Sequence, residues 1–295
     1  MSEDHRARMR ALINAPGAAV VPGVPDAITG RVAEQMGFPA IYLSGAGFAN
    51  AQLGVPDLGL VTLTEIAAQT ERFREAVGIP IVVDADTGFG GPLNVRRTVR
   101  MLEQRGASAI QLEDQLFPKR CGHFEGKQVV PTGEMIARIS AAVDARTDDD
   151  LVVIGRTDAR ATDGLQAAID RARLYKEAGA DVLFVEAPES RDEIVQVAEA
   201  LPGPLLLNVV EGGKTPMLPA DELGKIGYSL VLYANSAMRG AVRGAQIVLA
   251  SLQENGCTEE VLGSMLSWPE RQALVGKPAF DALEARYHVI TGEMP

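Results

Sequence analysis

Cysteine is nearly absent from this chain: Cys121 and Cys257 are the two among 295 residues. That is too few for a disulfide framework, so a conspicuous cysteine is expected as a reduced thiol. Aromatic residues amount to 5% against 46% hydrophobic residues in all, which describes a large aliphatic core rather than a disordered or fibrous chain. Positive charge is in deficit. With 28 Lys and Arg against 39 Asp and Glu the formal net charge is -11, and the basic footprint needed for nucleic acid or an anionic lipid surface is missing. No stretch approaches the roughly 18 uninterrupted apolar residues of a membrane span, and the opening MSEDHRARMR leads into no apolar signal-peptide core. The expectation is a cytoplasmic protein with neither nucleic acid nor membrane as partner. Nor is there a Ser/Gly-rich or Pro-rich linker, so the chain reads as one domain over residues 1–295.

What is present is a rhythm. Short apolar, β-branched runs recur eight times: AAVVPG from Ala18, AIYLSG from Ala40, IPIVVDAD from Ile79, SAIQLED from Ser108, LVVIGRTD from Leu151, DVLFVEA from Asp181, PLLLNVV from Pro204 and SLVLYA from Ser229. Their continuous hydrophobicity suits strands covered on both faces. Segments between them, such as NVRRTVRMLEQRGA and GLQAAIDRARLYKEAGA, have helical spacing with a glycine stop. Eight βα units favour a closed (β/α)8 barrel over a doubly wound open sheet, which has the same local pattern. The stretch 246–295 exceeds what closing a barrel needs and reads as a C-terminal helical extension, suited to packing on a neighbour.

In such a barrel chemistry gathers at the C-terminal ends of the strands. Those ends carry Tyr42, Ser44 and Gly45; Asp84 and Asp86; Glu113 and Asp114; Arg156 and Asp158; Glu186; Asn208 and Glu211; and Tyr233 and Asn235. Side chains alternate along a strand, so Asp84 and Asp86 point the same way, with Glu113 ending the next strand. Any one of these acids is expected to cap a helix. Three on neighbouring strands are better explained by a shared hard cation, Mg²⁺ or Mn²⁺. Arg156 has the planar fork that grips a carboxylate, although pairing with Glu186 is equally compatible with the sequence. GFGG at 88–91 has neither the P-loop ending nor the dinucleotide spacing and reads as a glycine-hinged loop.

The loop after the fourth run, PKRCGHFEGKQ from Pro118, sets Cys121 between Lys119, Arg120 and His123. A lone cysteine is by default a small buried hydrophobe, and no second Cys or His stands near enough in sequence for a zinc site. Its cationic neighbours nevertheless lower a thiol's pKa, which suits an acid or nucleophile over the barrel mouth.

Taken in order, YLSGAG, GVPDLGLVTLTE, VVDADTGFGGPLNVRRTV, IQLEDQLFPKRCGHFEGK, GRTDA, VEAPES and NVVEGG resemble the signature segments of the isocitrate lyase and phosphoenolpyruvate mutase superfamily. KRCGH is similar to the carbon–carbon lyase branch, which includes isocitrate, 2-methylisocitrate and 2,3-dimethylmalate lyases and the petal death protein. Phosphonate-processing members differ in this loop. The resemblance implies a (β/α)8 barrel whose last helix swaps between paired subunits in a homotetramer. It implies Mg²⁺ at Asp84, Asp86 and Glu113, with Asp57 near that site. Ser44, Gly45 and Ala46 would bind the α-keto acid part of a small carboxylate substrate, and Arg156 would clamp a carboxylate. Gly122, His123, Glu186 and Asn208 match residues holding the other half. The implied reaction is a retro-aldol-type cleavage of a 2-hydroxy di- or tricarboxylate, with Cys121 as general acid and Tyr42 or Asp57 as base.

Two departures bear on the substrate. After His123 the chain has Phe124-Glu125-Gly126, where methylisocitrate lyases tend to have Arg-Pro-Asn and dimethylmalate-type enzymes Met-Arg-Gly. The last strand continues Tyr233-Ala234-Asn235-Ser236 in place of Tyr-Pro-Leu-Ser. These, and the lack of the insertions of typical isocitrate lyases, put 2-alkylmalate cleavage ahead of 2-methylisocitrate cleavage. The competing expectations are a phosphonate mutase or hydrolase, an oxaloacetate decarboxylase, and a non-catalytic metal-binding barrel.

Overall fold

Each of the eight apolar runs is a strand in the computed structural model, which describes residues 5–120, 122 and 126–291. The strands are β1 Ala19–Pro22, β2 Ile41–Leu43, β3 Ile81–Asp84, β4 Ala109–Glu113, β5 Val152–Thr157, β6 Val182–Val185, β7 Leu205–Asn208 and β8 Leu230–Tyr233. All pair in parallel in the order β1-β8-β7-β6-β5-β4-β3-β2. The seam between the end strands closes at an isolated Gly23–Tyr42 bridge, where Val24 N–H donates to the Tyr42 carbonyl at 3.0 Å. This is the (β/α)8 barrel rather than an open sheet. Gly23 is needed at the seam because a Cβ there would lie 2.0 Å from the Ala234 carbonyl oxygen.

The helices that accompany the strands are α1 His5–Asn14, α2 Ala27–Gln35, α3 Gly45–Phe48, α4 Leu63–Ala76, α5 Pro92–Gln104, α6 Thr132–Ala145, α7 Ala159–Asp163, α8 Leu165–Glu177, α9 Arg191–Ala200 and α10 Ala220–Ile226. Local chemistry sets several of their starts. Thr62 and Glu65 form a capping box before α4, and the side chains of Asp26, Ser44 and Ser190 cap α2, α3 and α9.

Period-two alternation divides the core in two. Val82, Ala109, Val152, Ile154, Val182, Leu206 and Leu230 fill the barrel interior, whereas their neighbours Val83, Ile110, Val153, Leu183 and Leu207 pack under the helices. The interior layer is joined by Met9 and Ile13 of α1. The charged opening of the chain is thus an amphipathic helix packed on the barrel interior, with Arg6 paired to Asp148 and Arg10 to Asp181. Its short apolar stripe within a polar segment gave no strand or βα signal.

The described chain divides into two compact units, Met1–Met238 and Arg239–Pro295. The helical extension expected from residue 246 lies in the second. That unit comprises most of α11 Ser236–Asn255, a 3-10 turn Glu259–Ser264, α12 Trp268–Leu274 and α13 Lys277–Thr291. It leaves Leu249, Trp268, Phe280 and Tyr287 exposed.

Candidate active site

The inward positions of the strands stay apolar until their C-terminal ends, and there they turn polar together. Gln111 and Glu113 follow Ala109 inward on β4, Arg156 follows Ile154 on β5, and Glu186 follows Phe184 after β6. The result is a cavity of 230 Å³ at the C-terminal mouth. Of the residues expected there, Tyr42, Ser44, Ala46, Asp57, Asp84, Glu113, Gly122, Arg156, Glu186 and Asn208 line it together. Gly45 stands beside it, donating its backbone N–H to Asp84 Oδ2 at 3.2 Å. Cys121 and His123 lie outside the described residues.

The cavity has an acidic side. Asp84 Oδ1 accepts from Gln111 Nε2 and from the Asp86 backbone, each at 3.2 Å. Asp86 adopts a left-handed φ of 47°, an unusual conformation for a non-glycine residue, which turns the chain sharply after β3. Lys119 brings an ammonium into this corner, 2.6 Å from Asp57 Oδ1 and 2.7 Å from Asp86 Oδ1. Burial pushes the Asp86 carboxyl up to about 7, with Lys119 pulling the other way. Glu113 is also raised well above the carboxylate range, first by burial. Burial alone would lower Lys119, but Asp86, Glu113, Asp84 and Asp57 together hold it well above its ordinary value.

The residues fit a hard cation. Glu113 Oε1 is buried without a hydrogen-bond partner among the described residues, and Asp86 Oδ1 has its ion pair but no well-directed hydrogen bond. Asp84 Oδ2 and Asp86 Oδ1 both approach one point, 3.4 and 3.1 Å from where a Gly45 Cβ would sit. Among the described residues, however, no three His, Cys, Asp or Glu side chains stand close enough to form a cage of their own. Glu113 is drawn towards Arg156 and Asp86 towards Lys119. This suits an ion of the Mg²⁺ kind, which keeps several waters and takes one or two carboxylates directly.

The opposite side is built on Arg156. Its Nε and Nη2 donate to the two oxygens of Asp158 at 2.9 and 3.1 Å, its Nε is 3.8 Å from Glu186 Oε2, and its Nη1 is 3.4 Å from Glu113 Oε2. Its guanidinium lies 5.2 Å from the centre of the Phe184 ring. The open choice between clamp and Glu186 pair therefore resolves towards a third partner: Asp158 holds the fork, and the Nη1 edge remains near the cavity. Although burial pushes it upward, Asp158 is held down to about 2 by Arg156 and Lys127. Lys127 Nζ bonds both Asp158 Oδ1, at 2.7 Å, and the Gly122 carbonyl oxygen. A Cβ on Gly122 would meet Glu186 Oε1 at 2.5 Å and Arg156 Nη2 at 2.6 Å. Gly122 thus lies close against Glu186 and Arg156, while Gln115 exchanges two hydrogen bonds with the backbone of Arg120.

The Tyr42 hydroxyl donates to Gln111 Oε1 at 3.0 Å, and burial and then Asp84 raise its pKa well above the ordinary value. Asp114, one residue past Glu113, faces outward by alternation and accepts from Thr157 Oγ1, Tyr175 Oη and the Asp158 backbone. Sequence reasoning placed Lys119 beside Cys121 and missed its service to Asp57 and Asp86; it did not single out Lys127. The signal was an acidic rim that needed buried cations to balance it.

These features accord with the relatives of the chain. The family model described as phosphoenolpyruvate phosphomutase matches residues 9–253. The chain belongs to this family. It is 41% identical over 281 residues to 2,3-dimethylmalate lyase of Eubacterium barkeri, covering 95% of this chain and 97% of that protein. It is 42% identical over 282 residues to 2-methylisocitrate lyase of Bacillus subtilis (strain 168), covering 96% and 93%. Among solved structures, oxaloacetate acetylhydrolase with the inhibitor 3,3-difluorooxalacetate superposes with a TM-score of 0.90 at 33% identity, covering 99% of this chain and 98% of that one. Phosphonopyruvate hydrolase in complex with oxalate and Mg++ gives 0.87 at 32% identity, covering 97% and 99%. No helix among the described residues is long and apolar enough to cross a membrane.

Proposed function

We propose that the chain is a Mg²⁺-dependent carbon–carbon lyase that cleaves a 2-hydroxy di- or tricarboxylate to an α-keto acid and a second carboxylic acid. A 2-alkylmalate of the 2,3-dimethylmalate type is placed ahead of 2-methylisocitrate. The observation that carries this reading is the docking of Gly122, next to Cys121, against Arg156 and Glu186, opposite a cluster of buried hard oxygen ligands. Similarity to lyases acting on both substrates supports it.

Asp84, Asp86 and Glu113 would hold the ion, which supplies Lewis-acid polarisation at the substrate's oxygen atoms. The chain's own groups do the rest. Ser44 and Ala46, at the start of α3, line the side that takes the keto-acid half, with Gly45 between them tied to Asp84. Arg156 Nη1 draws a substrate carboxylate, and Asn208, whose Nδ2 donates to Glu186 Oε1 at 3.3 Å, positions the other half. Asp57 takes the substrate hydroxyl proton. As the C–C bond breaks, its electron pair passes to the carbon beside the second carboxylate, and the Cys121 thiol donates a proton there. The proton held by Asp57 restores the thiol, so the cycle is balanced. Water has to be kept from this carbon while the proton is delivered.

Assembly as a homotetramer is part of the same proposal, supported by the exposed Trp268, Phe280 and Tyr287 in the C-terminal unit. Light scattering tests it, and a monomer would overturn it. A second reading, hydrolysis of oxaloacetate or phosphonopyruvate, is favoured by the two structural likenesses. The deciding experiment follows keto-acid release with Mg²⁺ from 2,3-dimethylmalate, 2-methylisocitrate, isocitrate, oxaloacetate and phosphonopyruvate by wild type and Cys121→Ser. Release from a malate or isocitrate, lost in the variant, is expected. Turnover confined to the last two, or undiminished in the variant, overturns the lyase reading.

A further inference from the structure

Five acidic side chains, Asp57, Asp84, Glu113, Glu186 and Glu211, line the barrel cavity, and the chain as a whole carries a formal net charge of -11. A di- or tricarboxylate has to enter against both. Among the described residues three cations line the same cavity, Lys119, Arg120 and Arg156. Two are committed: Lys119 to Asp57 and Asp86, and Arg156 to Asp158 and Glu113. Arg120 is not. It is exposed, and its guanidinium forms no ion pair or hydrogen bond among the described residues. Arg120 also lines a neighbouring cleft of 180 Å³ with Gln115, Gly126, Lys127 and Gln128, and no acidic residue stands in that lining either.

The backbone beneath this side chain is fixed. Arg120 N–H donates to Gln115 Oε1 at 2.9 Å, and Gln115 Nε2 donates to the Arg120 carbonyl at 2.8 Å. On either side, Lys119 is held by its two carboxylates and the Gly122 carbonyl by Lys127. A pinned backbone with a free side chain makes a tethered charge at the edge of the cavity, and its planar fork matches a carboxylate. We propose that Arg120 captures the incoming substrate by one of its carboxylates on the way to Arg156. The inference rests on the reading of the substrate as a di- or tricarboxylate. Because the cation is exposed, its pull is screened by salt, and it acts on capture rather than on the bond that breaks.

Two measurements test this in wild type, Arg120→Lys, Arg120→Gln and Arg120→Glu. One is steady-state keto-acid release, with Mg²⁺, from whichever of the five acids is turned over. The other is calorimetric titration with succinate, a dicarboxylate with no hydroxyl to cleave. Both are run from about 0.01 M to about 1 M salt, over which the Debye length falls from roughly 30 to roughly 3 Å. At low salt Arg120→Gln is expected to raise KM about tenfold, with the loss carried by KM rather than kcat, and to weaken succinate by a similar factor. Arg120→Glu should lose more and Arg120→Lys less, and all three should converge on wild type at high salt. A side chain with a merely structural role would give neither this order nor this convergence. Unchanged KM and succinate affinity in Arg120→Gln, a loss indifferent to salt, or a loss confined to kcat would each overturn the proposal. The last would assign Arg120 to the Cys121 thiol instead. Should wild type release keto acid from none of the five acids yet bind succinate in this Arg120-dependent way, the lyase reading fails and the capture role stands.

Discussion

Lys127 Nζ lies 2.7 Å from Asp158 Oδ1 and also holds the carbonyl oxygen of Gly122. One buried cation therefore ties the segment that follows β4 to the end of β5, across the mouth of the barrel. Asp158 in turn orients Arg156 through two hydrogen bonds. The position of Gly122 and the aim of Arg156 thus share a single carboxylate.

Removing that cation should affect both. Lys127→Met is expected to lower stability by about 3 kcal/mol, the lower end of what losing one partner of a buried pair costs, because Arg156 still serves Asp158. The released Gly122 segment should reduce kcat/KM at least about tenfold through misplacement. Urea unfolding and steady-state kinetics on the same preparation measure the two effects. A variant equal to wild type in both would show that the bridge contributes nothing.

Gly122→Ala isolates the geometry from the charge. Its new methyl would collide with Glu186 Oε1 and Arg156 Nη2, so the segment must move outward by on the order of 1 Å, a displacement that costs about 10²-fold in rate. The barrel does not depend on this loop residue, and thermal unfolding is expected within about 1 kcal/mol of wild type. Full activity in the alanine variant would remove the close approach from the account.

Cation binding can be read without turnover. Mg²⁺ at about 100 times its dissociation constant should stabilise the fold by about 2.7 kcal/mol by linkage. Glu113→Gln, which leaves a neutral oxygen where the buried orphan stands, should flatten that response. Melting curves in Mg²⁺ and in EDTA supply the comparison, and an identical rise in the variant would take Glu113 out of the ion's reach.

Acid stability follows from Asp158. Its folded pKa, about 2, lies below the ordinary 3.8, so its contribution is present above about pH 3.8 and disappears as pH falls towards 2. The amount is on the order of 2 kcal/mol. Urea midpoints between pH 5 and 2 should fall more steeply in wild type than in Asp158→Asn. Parallel curves would count against a depressed carboxylate.

Much of this was legible in the chain. Eight strands could be read from eight apolar runs because parallel strands buried on both faces need continuous aliphatic residues. The polar residues ending those runs could be gathered into one site because a barrel brings its strand ends together. Asp114 shows the limit of that reading: it ends the same run as Glu113, yet one step of alternation turns it outward onto Tyr175 and Thr157. Tyr42 shows another, since only the fold sets its hydroxyl on Gln111 Oε1 and buries it near Asp84.

By itself, then, the sequence determined the barrel, the acidic rim and the loop that carries Cys121, because hydrophobic periodicity and residue type act locally along the chain. Tertiary structure alone decided that Lys119 serves Asp57 and Asp86, that Lys127 binds Asp158, and that Asp158 in turn holds Arg156. Each depends on which groups meet after folding and how far water is excluded from them, and sequence spacing specifies neither distance nor burial.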